Sequence, residues 1–206
     1  MKKTVIIFSI LLILISACSK TEVVELPITT SDPKALGYYK KAILSREVGD
    51  GPEKRALLDS ALSIDPNFAM ALELYESQDP IIQREHQELA KTSVSNASEA
   101  EKKMISIRES YRNEDMDKAL ESAKWLVENH KDSYESFVLL GQVQSDRYEL
   151  DEAIKTLKKA IELNPNSYRA YSLLMGHHIS AGTQVMLPQE KRDVDLGMKY
   201  GDELIR

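Results

Sequence analysis

The sequence predicts an all-α fold, a stack of about five helical hairpins, and three observations carry that expectation. Apolar residues recur with helical spacing along nearly all of the chain after its first twenty residues, and no window sustains an alternation of period 2. Small residues, above all alanine, return at an offset of 34 residues on the second helix of successive pairs. Pro66 and Pro165 stand 99 residues apart, close to three such periods. A repeat of that length marks a unit that cannot bury its own apolar face and stacks on its neighbours instead.

Composition sets the outer limits. Of 206 residues, 42% are hydrophobic and 29% charged, with eight glycines, seven prolines and one cysteine, which excludes disordered, collagen-like and disulfide-rich chains. A solitary cysteine makes no internal disulfide and no Cys-based metal site.

Met1-Lys2-Lys3 is a basic start, and Val5 to Ile15 is an apolar run broken only by Ser9. Together they read as a secretory signal, too short to cross a bilayer. The run ends in Ile15-Ser16-Ala17-Cys18, which resembles the lipobox of bacterial lipoproteins: an aliphatic residue, two small residues, then cysteine. The resemblance implies that residues 1–17 are cleaved, that the Cys18 sulfur receives a diacylglycerol, and that the new amino terminus takes a fatty acyl chain such as palmitate. An ordinary signal in which Cys18 is incidental is the alternative. Several chains on one residue anchor durably, since each buried methylene contributes about 0.8 kcal/mol. Ser19 stands where an aspartate retains some lipoproteins in the inner membrane, so the resemblance points to the outer membrane of a bacterial cell envelope. Loss of Lys2 and Lys3 takes the formal charge from −6 to −8, which argues against nucleic acid and against adhesion to anionic lipid.

Residues 18–31 are read as the lipidated cysteine and a tether, because Pro27 and a Thr/Ser cluster interrupt any period. Val23, Val24, Leu26 and Ile28 leave open a second reading, in which this stretch docks on the first helices. Residues 32–206 form the repeat domain. Its first unit, Asp32 to Pro66, carries Leu36-Gly37 on one helix and Leu58, Ala61, Leu62 and Ile64 on the next, with Val48 to Pro52 lengthening the turn. Helices over Asn67 to Ser77 and Pro80 to Ala90 follow, with Phe68, Leu72, Tyr75, Ile81, Ile82 and Leu89 as apolar positions. The unit Ser98 to Asp132 places Met104, Ile107 and Tyr111 on its first helix and Ala119, Ala123, Leu126 and Val127 on its second.

The clearest unit runs from Tyr134 to Pro165. Phe137, Leu140 and Gly141 share one side of a first helix, and Tyr148 and Leu150 cover the turn. Ala153, Leu157, Ala160, Ile161 and Leu163 form the stripe of a second helix, which Asn164-Pro165 ends. A last pair follows: Tyr168 to Ile179 with Tyr171 and Leu174, an extension containing Gly182 and Pro188, and a helix over Asp193 to Ile205 with Gly197, Gly201 and Leu204.

The Leu-Gly pair, the later alanines and the closing proline of Tyr134 to Pro165 resemble the tetratricopeptide repeat, and the likeness extends in weaker form over 32–206. It implies a tetratricopeptide-like right-handed superhelix whose first helices line a concave groove fitted to an extended peptide or a helix of a protein partner in the cell envelope. Projected onto this sequence, the groove residues are Lys102, Glu109 and Arg112, then Glu135, Leu139, Gln142 and Asp146, then Arg169 and Leu173. The carboxylate clamp of some family members is absent, since Val138 and Gln142 stand at its places. A solute-binding lipoprotein of an outer-membrane nutrient-uptake system is the alternative in plan, but the chain has no room for the large insertion such proteins carry.

No catalytic constellation stands out, and neither an enzymatic role nor a cofactor is expected. His177 and His178 are adjacent, so on a helix they point about 100° apart and cannot chelate one ion. His86 and His130 have no ligand-type partners at metal spacing. Glu99 and Glu101, Glu114 and Asp115, and Asp151 and Glu152 read as solvated faces and helix starts. Trp125 reads as core, with a ligand platform as the alternative.

Overall fold

The computed structural model describes residues 23–47, 49–179 and 186–205. The predicted signal, Cys18 and Gly182 lie outside them. Among the described residues ten α-helices succeed one another: α1 (Pro33–Glu47), α2 (Gly51–Ile64), α3 (Ala69–Leu74), α4 (Pro80–Ser93), α5 (Glu99–Arg112), α6 (Met116–Asn129), α7 (Tyr134–Asp146), α8 (Leu150–Leu163), α9 (Tyr168–His178) and α10 (Val194–Leu204). They pack as five consecutive hairpins, α1/α2 through α9/α10. Helices α2, α6 and α8 then pack on the first helix of the next hairpin, whereas α3 rather than α4 reaches α5. Among the described residues there is no strand, only an isolated bridge between Val24 and Ser133.

One turn closes three of the hairpins. Gly49, Glu114 and Tyr148 each sit at positive φ, 80°, 57° and 63°. The flanking bonds repeat too: Asp50 N–H to Ser45 C=O, Asp115 N–H to Ser110 C=O, and Glu149 N–H to Gln144 C=O, all 2.8 or 2.9 Å. These long-range closures satisfy carbonyls that a helix end leaves without partners, as in the Schellman motif. Asp50 and Asp115 then cap α2 and α6, accepting from Glu53 N and Lys118 N.

The shared turn corrects the register expected for the first unit. With α1 ending at Glu47 and α2 beginning at Gly51, the turn has the same length as that between α7 and α8, so Val48 to Pro52 lengthens nothing. Ala42, not Gly37, takes the place of Gly141. Ala42 is fully buried, while a Cβ on exposed Gly37 would meet nothing within 4 Å. At Gly141 a Cβ would lie 2.7 Å from both Cγ and Cδ2 of Leu157. Tyr148 does not cover its turn; it is 76% exposed, and its contribution there is the left-handed backbone.

The second hairpin departs furthest from the expected pattern. Only six residues of the predicted helix Asn67 to Ser77 are helical, because α2 pulls the chain out of line: Lys54 Nζ reaches Glu76 Oε2 at 2.7 Å and Arg55 takes the Glu76 carbonyl at 3.0 Å. Pro80 holds Asp79 extended, and Asp79 caps α4 through Ile81 N. So short a partner cannot cover α4, and Ile81, Ile82 and Leu89, expected as apolar positions, are exposed. Elsewhere the core is continuous in three clusters, centred on Tyr39 and Phe68, on Ala119, Ala123 and Leu126, and on Leu157, Ala160 and Leu174.

The register is tested by paired substitutions. Gly141→Leu should lower stability by about 1–3 kcal/mol through overpacking. Gly37→Ala, on an exposed helix position, should raise it by about 0.5–1 kcal/mol. Urea denaturation of both variants checks this, and a loss at Gly37 would mean that it, after all, lies at the helix contact.

Candidate functional site

First helices face one another across a shared space. Helix α3 packs against α5 and α7 against α9. Arg46 and Glu47 at the end of α1 interact electrostatically with Arg108 of α5 and Arg169 at the start of α9, groups more than a hundred residues apart at the extremes. Glu47 also raises the pKa of Tyr134, the first residue of α7, whose largest cause is burial. Tyr111 on α5 bonds to Asp146 on α7 and Arg169 on α9 to Gln142 on α7, so α5, α7 and α9 share the inner side of the stack.

Part of that inner side is already filled. Residues 23–31, expected as a tether, lie against the starts of α5 and α7. Leu26 N–H donates to Glu135 Oε2 at 2.7 Å and Thr29 N–H to Glu101 Oε1 at 2.9 Å. The Ser98 hydroxyl donates to the Pro27 carbonyl at 3.1 Å, and Thr30 Oγ1 and Ser31 N–H both donate to Asp65 Oδ2. Leu26 is buried beside Ala100 and Ile107, Ile28 packs against the α1/α2 core, and Glu25 pairs with Lys40 of α1. The alternative of docking, not the tether, describes this segment from Val24 onward, through Leu26 and Ile28, while the Val23 and Val24 side chains stay exposed. Helix α5 makes the seat possible: its capping box, Ser98 with Glu101, fixes the Glu101 carboxylate, one oxygen on Ser98 N–H and the other on Thr29 N–H.

The nine sequence-derived groove residues divide. Glu135 binds the docked segment, and burial, the largest cause, pushes its pKa up. Gln142 accepts from Arg169 at 3.1 Å, and Asp146 accepts from the Tyr111 hydroxyl at 2.6 Å. Burial first, and then Asp146, push the Tyr111 hydroxyl well above its usual pKa. Arg112 is exposed but engaged: both its terminal nitrogens reach the buried carboxylate of Glu73 on α3 and tie the second hairpin to the third. Lys102 pairs with Glu99 within its own helix, and Glu109 is half-buried on α5. Leu139 packs against the α5/α6 core and Leu173 is buried in the last, so these two build the fold rather than its surface. Trp125 packs partly buried against the α5/α6 core, with Lys103 over its ring.

Sequence reasoning missed Arg46, Glu47, Arg108 and Tyr134, and it read Glu101 as a solvated helix start although that residue is fully buried. The misplaced register of α1 hid the first two. The pattern Ser98-x-x-Glu101 was a readable capping box, but its second acceptor role depends on a segment 72 residues away.

Among the described residues the Ser–His contact is buried between α7 and α9. Ser145 Oγ lies 2.9 Å from His177 Nε2 and itself donates to the Gly141 carbonyl at 2.7 Å, so Nε2 carries the proton. Both side chains are buried, and His177 Nδ1 has no hydrogen-bond partner among the described residues. Among those residues no group of three or more His, Cys, Asp or Glu side chains is placed to hold a metal ion, and no helix is long and apolar enough to cross a membrane.

The fold is a tetratricopeptide-like stack of helical hairpins, a class fixed by its own repeated turn and pairing. It is similar to a solved structure of the MamA protein (20% identity, 84% of this chain and 90% of that one, TM-score 0.43) and to a MamA RS-1 ArsTM double mutant (14%, 84% and 94%, 0.42). It is also similar to YrrB, described as a TPR protein with an unusual peptide-binding site (18%, 83% and 84%, 0.42). No protein-family model and no curated protein matches the chain.

Two outcomes follow. Leu26→Ala should cost about 2–4 kcal/mol, the range of a buried leucine, where a free tether would lose nothing; chemical denaturation measures it. Burial, with His178 second, lowers the His177 pKa from 6.5 to about 4. The unfolded chain thus binds a proton below about pH 6.5 that the folded chain refuses until about pH 4, so stability is full above that window and falls by about 3 kcal/mol across it. Urea midpoints from pH 7 to pH 4 should show the fall, and His177→Gln should flatten it.

Proposed function

We propose that the chain is a lipid-anchored scaffold of the bacterial cell envelope, on the outer membrane, whose concave face binds an extended segment of a protein partner. One observation carries the binding part: the inner face already holds an extended segment, residues 23–31, by accepting its backbone N–H groups on carboxylates and burying its Leu26 and Ile28 side chains. Such seating is independent of most side chains of the bound segment, which suits a peptide ligand. The anchoring part rests on Ile15-Ser16-Ala17-Cys18. With Cys18 as the mature terminus, four residues separate it from Val23, five chain steps with a reach of about 18 Å at most, so the docked segment would hold the domain near the bilayer.

Labelling cells with radioactive palmitate tests the anchor: Cys18→Ser should lose the label, and equal label on both proteins overturns lipidation. Crosslinking in intact cells tests the face. Gln142→Ala with Arg169→Ala should reduce partner capture by about tenfold, the loss of roughly one charge-assisted bond. Glutamine at Lys155, Lys158 and Lys159, exposed on α8, should change it little. A larger loss from the lysine set places the binding surface on the second helices.

A further inference from the structure

A cleft of about 690 Å³ opens where the docked segment, the link between α2 and α3, and the end of α4 meet. Its volume falls within the range of about 300–1,000 Å³ usual for small-molecule sites. Thr29 and Ser31 come from the segment, Asp65 and Asn67 from the link, and Ser93 and Asn96 from the last residue of α4 and the single turn after it. Asp65 fixes the walls: its Oδ2 accepts from Thr30 Oγ1 at 2.6 Å and from Ser31 N–H at 2.8 Å, and its Oδ1 accepts from Asn67 N–H at 3.3 Å. Burial, the largest single cause, pushes its pKa up, but the hydrogen bonds from Thr30, Ser31 and Asn67 outweigh it and hold the carboxyl below the usual carboxylate range. The side chains of Thr29, Asn67, Ser93 and Asn96 make no hydrogen bond among the described residues and are left for a ligand. Thr92 and Ser95 give their hydroxyl protons to the Leu89 and Thr92 carbonyls but keep acceptor lone pairs. None of the nine sequence-derived groove residues lines this cleft.

The lining selects by chemistry. An anion finds no lysine, arginine or histidine among the described lining residues and meets the ionised Asp65. A lipid or aromatic ligand finds only Pro66, Ala69 and Ala97 as apolar lining residues. An extended peptide needs a free strand edge and pockets for alternate side chains. Here Thr29 and Ser31 have already given their N–H groups to Glu101 and Asp65. What remains matches a neutral molecule covered with hydroxyls, because each hydroxyl both donates and accepts, and an Asn amide presents a donor and an acceptor side by side. We propose that this cleft is a binding site for a neutral oligosaccharide, with Asn67 and Asn96 bonding its hydroxyl or acetamido groups and Thr29 and Ser93 adding further contacts. Pro66 and Ala97 offer small apolar surfaces to the C–H face of a sugar ring. This site goes beyond peptide binding on the concave face and does not depend on it. Because Thr29 and Ser31 form one wall, a bound sugar also holds the segment in its docked position.

The test uses the full-length, isotope-labelled chain in micelles of a sugar-free detergent, titrated with maltotetraose or with the tetramer of N-acetylglucosamine while amide chemical shifts are followed. At least one tetramer should bind saturably with a Kd of about 1 mM, the yield of a few net hydrogen bonds. The shifts should fall on the amides of residues 29–31, 65–69 and 92–97. At about ten times the Kd, hydrogen exchange of the Leu26 and Thr29 N–H groups should slow by about tenfold, since the sugar binds only the docked segment. Binding of the acetylated tetramer alone assigns the acetamido group as the recognised feature, and binding of both assigns the hydroxyls. Asn67→Ala with Asn96→Ala should weaken binding by about tenfold, while the Lys155, Lys158 and Lys159 glutamine set stays within about twofold of the parent. Should the double variant lose helical signal, the decision passes to Asn96→Ala alone, where a loss of about threefold with parent-like helicity supports the site. Absence of saturable shifts with both tetramers, shifts scattered away from the cleft, unchanged affinity in the asparagine variants, or equal shifts from a neutral glycine–serine peptide overturns the proposal.

Discussion

At Gly141 the first helix of a hairpin comes so close to Leu157 on the second that no Cβ fits between them, and this close approach governs the molecule. Two helices packed at that distance present a narrow apolar seam and leave one face of each for the neighbouring hairpin. Buried alanines hold corresponding places: Ala42 on the first helix, and Ala61, Ala119, Ala123, Ala153 and Ala160 on the second. The left-handed turn residues at Gly49, Glu114 and Tyr148 are the other half of the same constraint, because reversing the chain within three residues requires a backbone that favours glycine. That Glu114 and Tyr148 accept it shows tertiary packing overriding local preference.

From this seam follows the distribution of polar groups. Second helices and their turns point charge outward, as Lys155, Lys158 and Lys159 do, while first helices converge. Convergence is what brings Tyr111 to Asp146 and Arg169 to Gln142 and what lets Glu101 and Glu135 act as acceptors for a segment from the far end of the sequence. The docked segment crosses the starts of α7 and α5 in turn and ends on Asp65 beyond α2, so it spans three hairpins. It makes the stack less purely nearest-neighbour than a solenoid of independent units.

The second hairpin shows what the repeat tolerates. Where the third unit has Ala119 and the fourth Ala153, the first has the buried Lys54, whose ammonium pairs with Glu76 just past the end of the second hairpin's short first helix. That pair and the Arg55 bond end α3 early, expose the outer side of α4, and leave the joint to the third hairpin with α3 through Glu73 and Arg112.

Much of this was legible in the sequence, and for a local reason. Helix type, the ends at Asn164-Pro165 and Asp65-Pro66, and the hairpin count follow from periodicity, caps and small residues, all of which act within a turn or two of the chain. The capping box at Ser98 and Glu101 and the contact at Gly141 belong to the same class. What only the tertiary structure decided is which side chains meet across the groove. The curvature is a sum of small rotations from one hairpin to the next, and no local pattern records that sum. It brings Tyr111 to Asp146, seats Leu26 on Glu135 across 109 residues, engages Arg112 with Glu73, and turns Leu173 from a candidate ligand contact into part of the frame.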